Sequence, residues 1–157
     1  MPGVSESPAT VHGTAVAMAG RAVLIRGDSG TGKSDLALRC IAQGVSPLLP
    51  FAVELVCDDR AVVVLEGRHL VVAAPSHIWG KLEVRGQGIV DVPAVQSARL
   101  VLVVDLVVEG ELVERLPDPE SIEISGYRVA FMKVNPFEAS APLKVLLALK
   151  NVHEVAI

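Results

Sequence analysis

A chain of 157 residues with 51% apolar and 20% charged residues can bury a core and is too apolar to be disordered. Its formal net charge of −4 argues against a nucleic-acid-binding protein, which usually needs a concentrated basic surface. The two cysteines, Cys40 and Cys57, are too few for a disulfide framework and fit a reducing cytosol.

The sequence also lacks the patterns of secretion and membrane insertion. Its first residues, MPGVSESPATVHG, do not place an apolar segment after a basic one, as a signal peptide would. The most apolar run, LVLVVDLVV, is about half the length of a membrane span and contains Asp105. We therefore expect a soluble, cytoplasmic protein without a membrane partner.

In chain order, residues 1–10 are rich in Ser, Pro and small side chains and predict a flexible tail, which leaves 11–157 as a single domain. TAVAMA and RAVLIRG predict two strands joined by a tight turn at Gly20. A glycine-rich loop follows. SDLALRCIAQG then places apolar residues on one face at helical spacing, with Gly44 as the C-terminal stop.

Strand patterns dominate the rest of the chain. VELVCDD predicts a buried strand ending in two acids, and AVVVLE with HLVVAA predicts a hairpin around Gly67. SHIWGKLEVRGQGIVDV predicts mostly loop with one short strand, LVLVVDLVV a central strand, and SIEIS with YRVAFMKV two strands around Gly126. APLKVLLALKN predicts a final helix with Pro142 in its first turn. Because two helices are too few to connect parallel strands throughout, we predict an α/β fold with a mixed, strand-rich sheet.

The stretch GDSGTGKS, from Gly27 to Ser34, matches the phosphate-loop pattern G-x-x-x-x-G-K-[ST] in full. Glycines let consecutive backbone N–H groups turn toward phosphate oxygens, and the following helix adds the partial positive charge of its N-terminus. In this pattern Lys33 reaches the β- and γ-phosphates, and the Ser34 hydroxyl is offered to Mg²⁺. The chain is thus predicted to be a P-loop nucleotide-binding domain. The predicted nucleotide-binding residues are Gly27, Asp28, Ser29, Gly30, Thr31, Gly32, Lys33 and Ser34.

Asp58 and Asp59 end the apolar strand VELVC. In P-loop folds such a strand commonly lies beside the loop and delivers an acid to the metal. One of two adjacent acids can then hold metal-bound water while the other takes the proton of an attacking hydroxyl. Turns between strands also favour Asp, so an Asp-Asp turn without a catalytic role is the competing interpretation.

The sequence pattern alone does not decide whether four further residues have a functional role. His12 precedes the first predicted strand, where a surface histidine is the simpler interpretation. Glu83 and Arg85 lie among glycines in KLEVRGQGI, either in a loop that makes close backbone contacts or as an ordinary solvated charge pair. Arg115 in VERLPD has the pattern of a solvated arginine.

Taken together and in this order, VHGT, GDSGTGKS, CDDR and LEVRGQGIVDV resemble the catalytic domain of HPr kinase/phosphorylase. The resemblance extends from VHGT to about YRVAF. Its last segment is similar to the family's signature L-E-[IV]-R-G-x-G-[IV], which other P-loop kinases do not carry. The resemblance implies the fold shared by HPr kinase and PEP carboxykinase, and a homo-hexamer. It also implies a bacterial enzyme that phosphorylates a serine of HPr, the small phosphocarrier of the sugar phosphotransferase system, and in many members reverses that step by phosphorolysis.

The resemblance implies roles for the matching residues, beginning with the donor side. Lys33 would be the phosphate-binding lysine, and Ser34 and Glu83 would be Mg²⁺ ligands. The implied cofactors are ATP and Mg²⁺, with pyrophosphate as an alternative donor. The signature loop, which the family uses in both directions of the reaction, comprises Glu83, Arg85, Gly86 and Gly88.

On the acceptor side, the resemblance implies that Asp59 is the base that takes the serine proton, with Asp58 beside it near the metal. The same acid would return a proton in the reverse direction. His12 matches the family's active-site histidine, and Arg115 matches its active-site arginine. The implied partner is HPr or an HPr-like phosphocarrier.

The chain departs from the family pattern in three places. Longer members carry a separate N-terminal domain, whereas this sequence begins almost at the catalytic core and is similar to the short form of some proteobacteria. The connection before CDD is longer than usual and holds Pro47 and Pro50. Where the family has an Arg-Pro-Gly-Arg-Asn type segment tied to dephosphorylation, this chain has KVNPFEAS. Because phosphorolysis brings two anions together, losing those arginines should impair it more than the kinase reaction, which leaves phosphorylase activity open.

Two other functions are compatible with a phosphate loop. A small P-loop kinase acting on a metabolite would need substrate residues lining a pocket and usually a mobile lid, and the sequence has no Arg-rich lid segment. A regulatory module could instead bind ATP without transferring phosphate. The intact acids Asp58, Asp59 and Glu83 argue against that second alternative.

Overall fold

The computed structural model describes residues 8–75, 78–108 and 110–152. The helices in these ranges are α1 (Lys33–Ala42) and α2 (Ala141–Asn151). The strands are β1 (Ala9–His12), β2 (Thr14–Met18), β3 (Arg21–Arg26), β4 (Val53–Cys57), β5 (Arg60–Glu66), β6 (His69–Ala73), β7 (Lys81–Val84), β8 (Gly88–Asp91), β9 (Ser97–Leu106), β10 (Glu120–Ile124) and β11 (Tyr127–Val134).

Most strands join one mixed sheet in the order β1-β5-β6-β9-β3-β2-β4. Strand β9 is central, as predicted, because it pairs with β3 along one edge and with β6 and β11 along the other. Its pairings with β3 and β11 are parallel, whereas β2 with β3, β2 with β4, and β5 with β6 are antiparallel. The predicted α/β class with a mixed, strand-rich sheet is confirmed.

Apolar residues cover both faces of this sheet. Along β3, Val23 and Ile25 pack with Leu36 of α1 on the helical face, whereas Leu24 points to the other face. This alternation follows from the two-residue period of a strand. On the second face the covering residues come from β5 and β6, including Val63 and Val72. Both faces of the sheet therefore contribute to a buried core.

Two segments correct the predicted elements. Ala9 and Thr10, expected at the end of a flexible tail, belong to β1, which pairs with β5; residues 1–7 of that tail lie outside the described residues. The segment around Gly86, expected to hold one short strand, contains two, because β7 and β8 form a hairpin. Both errors concern four-residue strands that are largely solvent-exposed, so their apolar alternation is weak.

The other predicted elements are confirmed. Strands β5 and β6 form the expected hairpin around Gly67, and β10 and β11 pair around Gly126. The two predicted helices are α1 and α2, and Pro142 lies in the first turn of α2. Within the described ranges, neither helix has the length and apolar composition needed to cross a membrane.

The topology brings two chemically important chain segments to one edge of the sheet. Strand β2 is antiparallel to both β3 and β4, so β3 and β4 run in the same direction. β3 leads into the glycine-rich loop of residues 27–32, and β4 leads into Asp58 and Asp59. The loop and the acid pair, which are about 30 residues apart in sequence, therefore emerge at the same edge.

Candidate active site

The glycine-rich loop forms a tight turn between β3 and the first turn of α1. Gly30 and Gly32 have φ angles of 82° and 102°, in the left-handed region that favours glycine. A Cβ at Gly27 would lie 2.5 Å from the Thr31 hydroxyl oxygen, which itself donates to the Asp28 carbonyl at 2.6 Å. The first amide N–H groups of α1 have no carbonyl in a preceding turn to bond to. This loop can therefore present several N–H donors to an anion.

Lys33 lies inside the turn of the glycine-rich loop, and the residue is only 6% exposed. Its ammonium group donates to the carbonyl oxygens of Gly27 at 2.8 Å and Asp28 at 3.1 Å. Such partners replace the hydrogen bonds to water that a lysine loses on burial. Since carbonyl oxygens are weaker partners than phosphate oxygens, the ammonium is placed to exchange them for a bound phosphate.

Asp58 connects the loop to two other parts of the fold. Its Oδ1 accepts hydrogen bonds from the hydroxyls of Ser34 at 2.6 Å and Thr14 at 3.0 Å. Its Oδ2 accepts a bond from the backbone N–H of Glu83 at 3.0 Å. The carboxylate is therefore fixed by donors from α1, β2 and the β7–β8 hairpin, and such bonds to a charged acceptor are stronger than neutral ones.

Hydrogen bonds fix the backbone of Asp59, whereas its carboxylate is exposed to solvent. Its φ of 64° is unusual for a residue other than glycine. The Asp59 N–H donates to the Thr14 hydroxyl at 3.1 Å, and its carbonyl accepts from the Gly13 N–H at 3.0 Å. The carboxylate lies 3.5 Å from Nε2 of His12, and 61% of the Asp59 side chain is exposed. The turn thus keeps one acid enclosed, Asp58, and presents its neighbour to solvent.

A cavity of about 630 Å³ brings these groups together. Its wall is formed by the glycine-rich loop, Asp59 and the β7–β8 hairpin. The lining residues are Ser29, Gly30, Thr31, Gly32, Lys33, Ser34, Asp35, Asp59, Glu83, Val84, Arg85, Gly86, Gly88 and Phe137. A phosphate chain bound along the loop would therefore share this cavity with Asp59.

Most of the predicted site residues are close to this cavity. Gly27 and Asp28 hold the Lys33 ammonium, Asp58 contacts the lining residue Ser34, and His12 contacts the lining residue Asp59. Arg115 is different: it is exposed in the segment between β9 and β10 and is not among the described residues that line the cavity.

Two residues near the site were missed by the pattern-based predictions. Thr14 is fully buried and contacts both acids, and the pattern that could have revealed it is a polar residue opening the apolar strand TAVAM. Phe137 is exposed at the cavity and lies in KVNPFEAS, a segment noted above for its missing arginines.

The donor set fits Mg²⁺ bound together with phosphate. Within the ranges the structure describes, no group of three or more His, Cys, Asp or Glu side chains could hold a metal ion. Mg²⁺, however, is usually held by one or two carboxylates together with substrate phosphates and water. Ser34, Asp58 and Glu83 bring a hydroxyl and two acidic residues to the end of the loop.

The cysteine next to the acid pair is unsuited to nucleophilic chemistry. Burial raises the pKa of the Cys57 thiol to about 12, and the charge of Asp58 adds to the effect. Burial likewise raises the pKa of Cys40 to about 12. Since the thiolate is the reactive form, both thiols are inert at neutral pH.

The sequence matches the family model of the HPr Serine kinase C-terminal domain over residues 5–157. Among curated relatives, it is 31% identical over 136 residues to the HPr kinase/phosphorylase of Streptococcus salivarius, which covers 80% of this chain and 41% of that protein. Identity to the HPr kinase/phosphorylase of Clostridium acetobutylicum is 38% over 125 residues, covering 73% of this chain and 38% of that protein. The chain thus spans about two-fifths of the length of these relatives.

A solved structure has the same fold. The structure of the Hpr(Ser) kinase/phosphatase from Coxiella burnetii matches with a TM-score of 0.76 and 26% sequence identity. The match covers 91% of this chain and 95% of that chain. Most of this chain therefore shares the fold of that structure.

Proposed function

The chain belongs to the HPr serine kinase C-terminal domain family, and we propose that it is an ATP- and Mg²⁺-dependent protein-serine kinase acting on HPr or an HPr-like phosphocarrier. The observation that carries this proposal is the junction of the loop with the acid pair. Ser34 of the loop helix donates to Asp58 at 2.6 Å, and Asp59 lines the same cavity as Lys33. A terminal phosphoryl group held by the loop would lie beside a carboxylate able to take a hydroxyl proton.

The loop side of the cavity would bind and orient the donor. Lys33 and the N–H groups at the start of α1 would bind the phosphate oxygens and balance their charge. Ser34, Asp58 and Glu83 are the residues that would hold Mg²⁺ or its water. When bound, Mg²⁺ neutralises charge that develops on the phosphate oxygens.

The acid side would receive the serine of the partner protein. The Asp59 carboxylate takes the proton of the serine hydroxyl as that oxygen forms its bond to the γ-phosphorus. The bond from the γ-phosphorus to the β–γ bridging oxygen breaks, and ADP leaves with that oxygen. His12, 3.5 Å from Asp59, orients the carboxylate, and Arg85 adds a positive charge to the cavity wall.

We propose that the kinase direction dominates over phosphorolysis. In phosphorolysis an inorganic phosphate must approach a phosphoserine, and the repulsion between two anions has to be offset by cations. The segment that would supply arginines in the family holds Asn135 and Phe137 instead. Among the described lining residues the basic side chains are Lys33 and Arg85. Incubating the phosphorylated carrier with phosphate and Mg²⁺ tests this direction, and release of pyrophosphate as fast as kinase turnover would contradict it.

The remaining expectations follow from the family and are part of the same proposal. The protein is expected in the cytoplasm, as a homo-hexamer, with the catalytic unit beginning at β1 and no binding to nucleic acid or membrane. Pyrophosphate is an alternative donor, because the loop binds the phosphate chain and not the nucleoside. Size-exclusion chromatography with light scattering measures the assembly.

The proposal is tested by incubating the purified chain with ATP, Mg²⁺ and HPr and analysing HPr by mass spectrometry. We expect one phosphate on one serine, no product without Mg²⁺, and no product when that serine of HPr is replaced by Ala. Binding of ATP without any transfer would instead indicate a regulatory module. Consumption of ATP with small hydroxylated metabolites, but not with HPr, would indicate a metabolite kinase.

A further inference from the structure

Phe137 is an exposed aromatic residue on the wall of the cavity that holds the glycine-rich loop. The residue is 82% exposed, and it lines the cavity together with Lys33 and Asp35. A single exposed apolar residue is ordinary on a protein surface. Phe137 differs because it adjoins a loop suited to binding phosphate, and an apolar ring cannot itself bind the phosphate groups.

The backbone on both sides of Phe137 is fixed although its ring is not. The guanidinium of Arg39 on α1 donates to the carbonyl oxygens of Pro136 at 2.6 Å and Glu138 at 3.4 Å. The Phe137 N–H donates to the side-chain oxygen of Asn135 at 3.0 Å. The segment that carries the ring is thus already held in place, so little backbone entropy would be lost when a ligand packs on the ring.

This segment also lies directly against the loop. A Cβ added at Gly32 would lie 3.9 Å from Cβ of Pro136, which is van der Waals contact. The residue preceding Phe137 therefore lies beside the glycine that opens α1. Phe137 therefore lines the same cavity as the loop from an adjoining segment.

Helix geometry separates Phe137 from the acids around the start of α1. Ser34 donates a hydrogen bond to Asp58, whereas Arg39 donates to the backbone of the segment that contains Phe137. Because these two helix residues are five positions apart, their directions differ by about 140°. Phe137 therefore lies on a different side of α1 from the acid pair, but in the wall of the same cavity as Asp59.

We propose that Phe137 is a stacking platform for the base of the nucleoside triphosphate donor. This inference rests on the proposed function, since it assumes that the loop binds a nucleotide. Every nucleobase has a π-face, so stacking on a single aromatic ring favours binding but discriminates weakly between ATP and GTP. An inorganic donor such as pyrophosphate has no base and gains nothing from Phe137.

The test compares two ligands that share the phosphates and differ in the nucleoside. Isothermal titration calorimetry measures Kd for a non-hydrolysable ATP analogue and for inorganic tripolyphosphate, both with Mg²⁺. We expect Phe137→Ala to weaken the ATP analogue roughly 5- to 100-fold and to leave tripolyphosphate unchanged. Phe137→Tyr keeps the ring and should retain tight binding. Leu112→Ala removes an exposed apolar side chain that does not line the cavity and is the matched control.

Each other outcome separates this inference from the proposed function. If Phe137→Ala weakens both ligands equally, or neither, the stacking role is overturned while nucleotide binding stands. If the variant changes only the KM for the carrier protein, Phe137 contacts that partner and not the base. If the unmodified protein binds neither ligand, the proposed function fails and the inference fails with it.

Discussion

The hydroxyl of Ser34 donates a hydrogen bond of 2.6 Å to Oδ1 of Asp58, joining the start of α1 to the end of β4. The same carboxylate accepts bonds of 3.0 Å from the hydroxyl of Thr14 and the N–H of Glu83. One acid therefore links α1, β2 and the β7–β8 hairpin. These bonds fix the position of the Asp58 carboxylate relative to the glycine-rich loop, which is a form of preorganisation.

The Ser34 hydroxyl should contribute to nucleotide binding only when Mg²⁺ is present. We expect Ser34→Ala to weaken ATP binding about 10-fold or more with Mg²⁺, because the variant lacks the hydroxyl proposed as a metal ligand. Binding without Mg²⁺ should change little, and Ser34→Thr should behave like the unmodified protein. Calorimetry with and without the metal measures this difference. An equal loss under both conditions would mean that Ser34 acts on the loop and not on the metal.

The Thr14 hydroxyl should couple stability to catalysis. Thr14→Val keeps the shape of the side chain but removes a partner from Asp58 and from the Asp59 N–H. We expect the free energy of unfolding to fall by about 1–3 kcal/mol and kcat to fall with it, whereas Thr14→Ser should keep most of the activity. Urea unfolding and initial rates measure the two effects. A Thr14→Val protein with unchanged kcat would show that the acid pair needs no such support.

Close packing at Gly13 should also support the acid pair. A Cβ there would lie 2.8 Å from Cδ1 of Leu24 and 2.9 Å from the backbone oxygen of Ile25. We expect Gly13→Ala to cost about 1–3 kcal/mol of unfolding free energy and to displace His12 and Asp59, lowering activity.

Gly20→Ala is the control for Gly13→Ala, because nothing lies within 4 Å of the new Cβ and its penalty comes from a φ of 78° alone. It should cost about 1–2 kcal/mol and leave activity intact. The expectation fails if both variants lose activity alike.

The two buried thiols should make the fold sensitive to alkaline pH. Burial raises the pKa of Cys40 and Cys57 from 9.0 to about 12. Between these values the unfolded chain releases its thiol protons and the folded chain keeps them, so the free energy of unfolding falls as pH rises from about 9 to about 12. Urea unfolding at pH 7 and pH 10 measures the change.

Variants lacking one thiol should lose part of this pH dependence. We expect Cys40→Ala to show a smaller decrease in unfolding free energy between pH 7 and pH 10 than the unmodified protein. Native protein at pH 8 should also react slowly with a thiol reagent and rapidly in urea. Rapid reaction of both thiols in the native state would contradict their burial.

The parts of the fold and site that the sequence predicted are those encoded locally. The glycine-rich loop depends on backbone conformations at Gly30 and Gly32 that follow from their own chemistry, and the hairpin around Gly67 depends on neighbouring apolar strands. Strand β1 was missed because it is four residues long, half-exposed and stabilised by a strand about 50 residues later in the chain.

The parts that could not be predicted are contacts between distant segments. Thr14 reaches Asp58 across 44 residues, and Arg39 reaches the carbonyl of Pro136 across 97 residues. The apolar periodicity of these segments does not predict such contacts, because they depend on the order of the strands in the sheet. Arg115 lies in an exposed segment and is not among the described residues that line the cavity, so the role implied for it stays a prediction.

The central claim is that Asp59 removes the proton from a serine while the loop holds the donor, and Asp59→Asn tests it most directly. Asn keeps the size of the side chain but cannot act as a general base at neutral pH. One experiment measures both ATP affinity by calorimetry and phosphoserine formation on HPr by mass spectrometry. We expect Asp59→Asn to leave ATP affinity unchanged and to lower the transfer rate about 10²- to 10⁴-fold. Phosphoserine formed at the unmodified rate, or ATP affinity lost together with transfer, would contradict that claim.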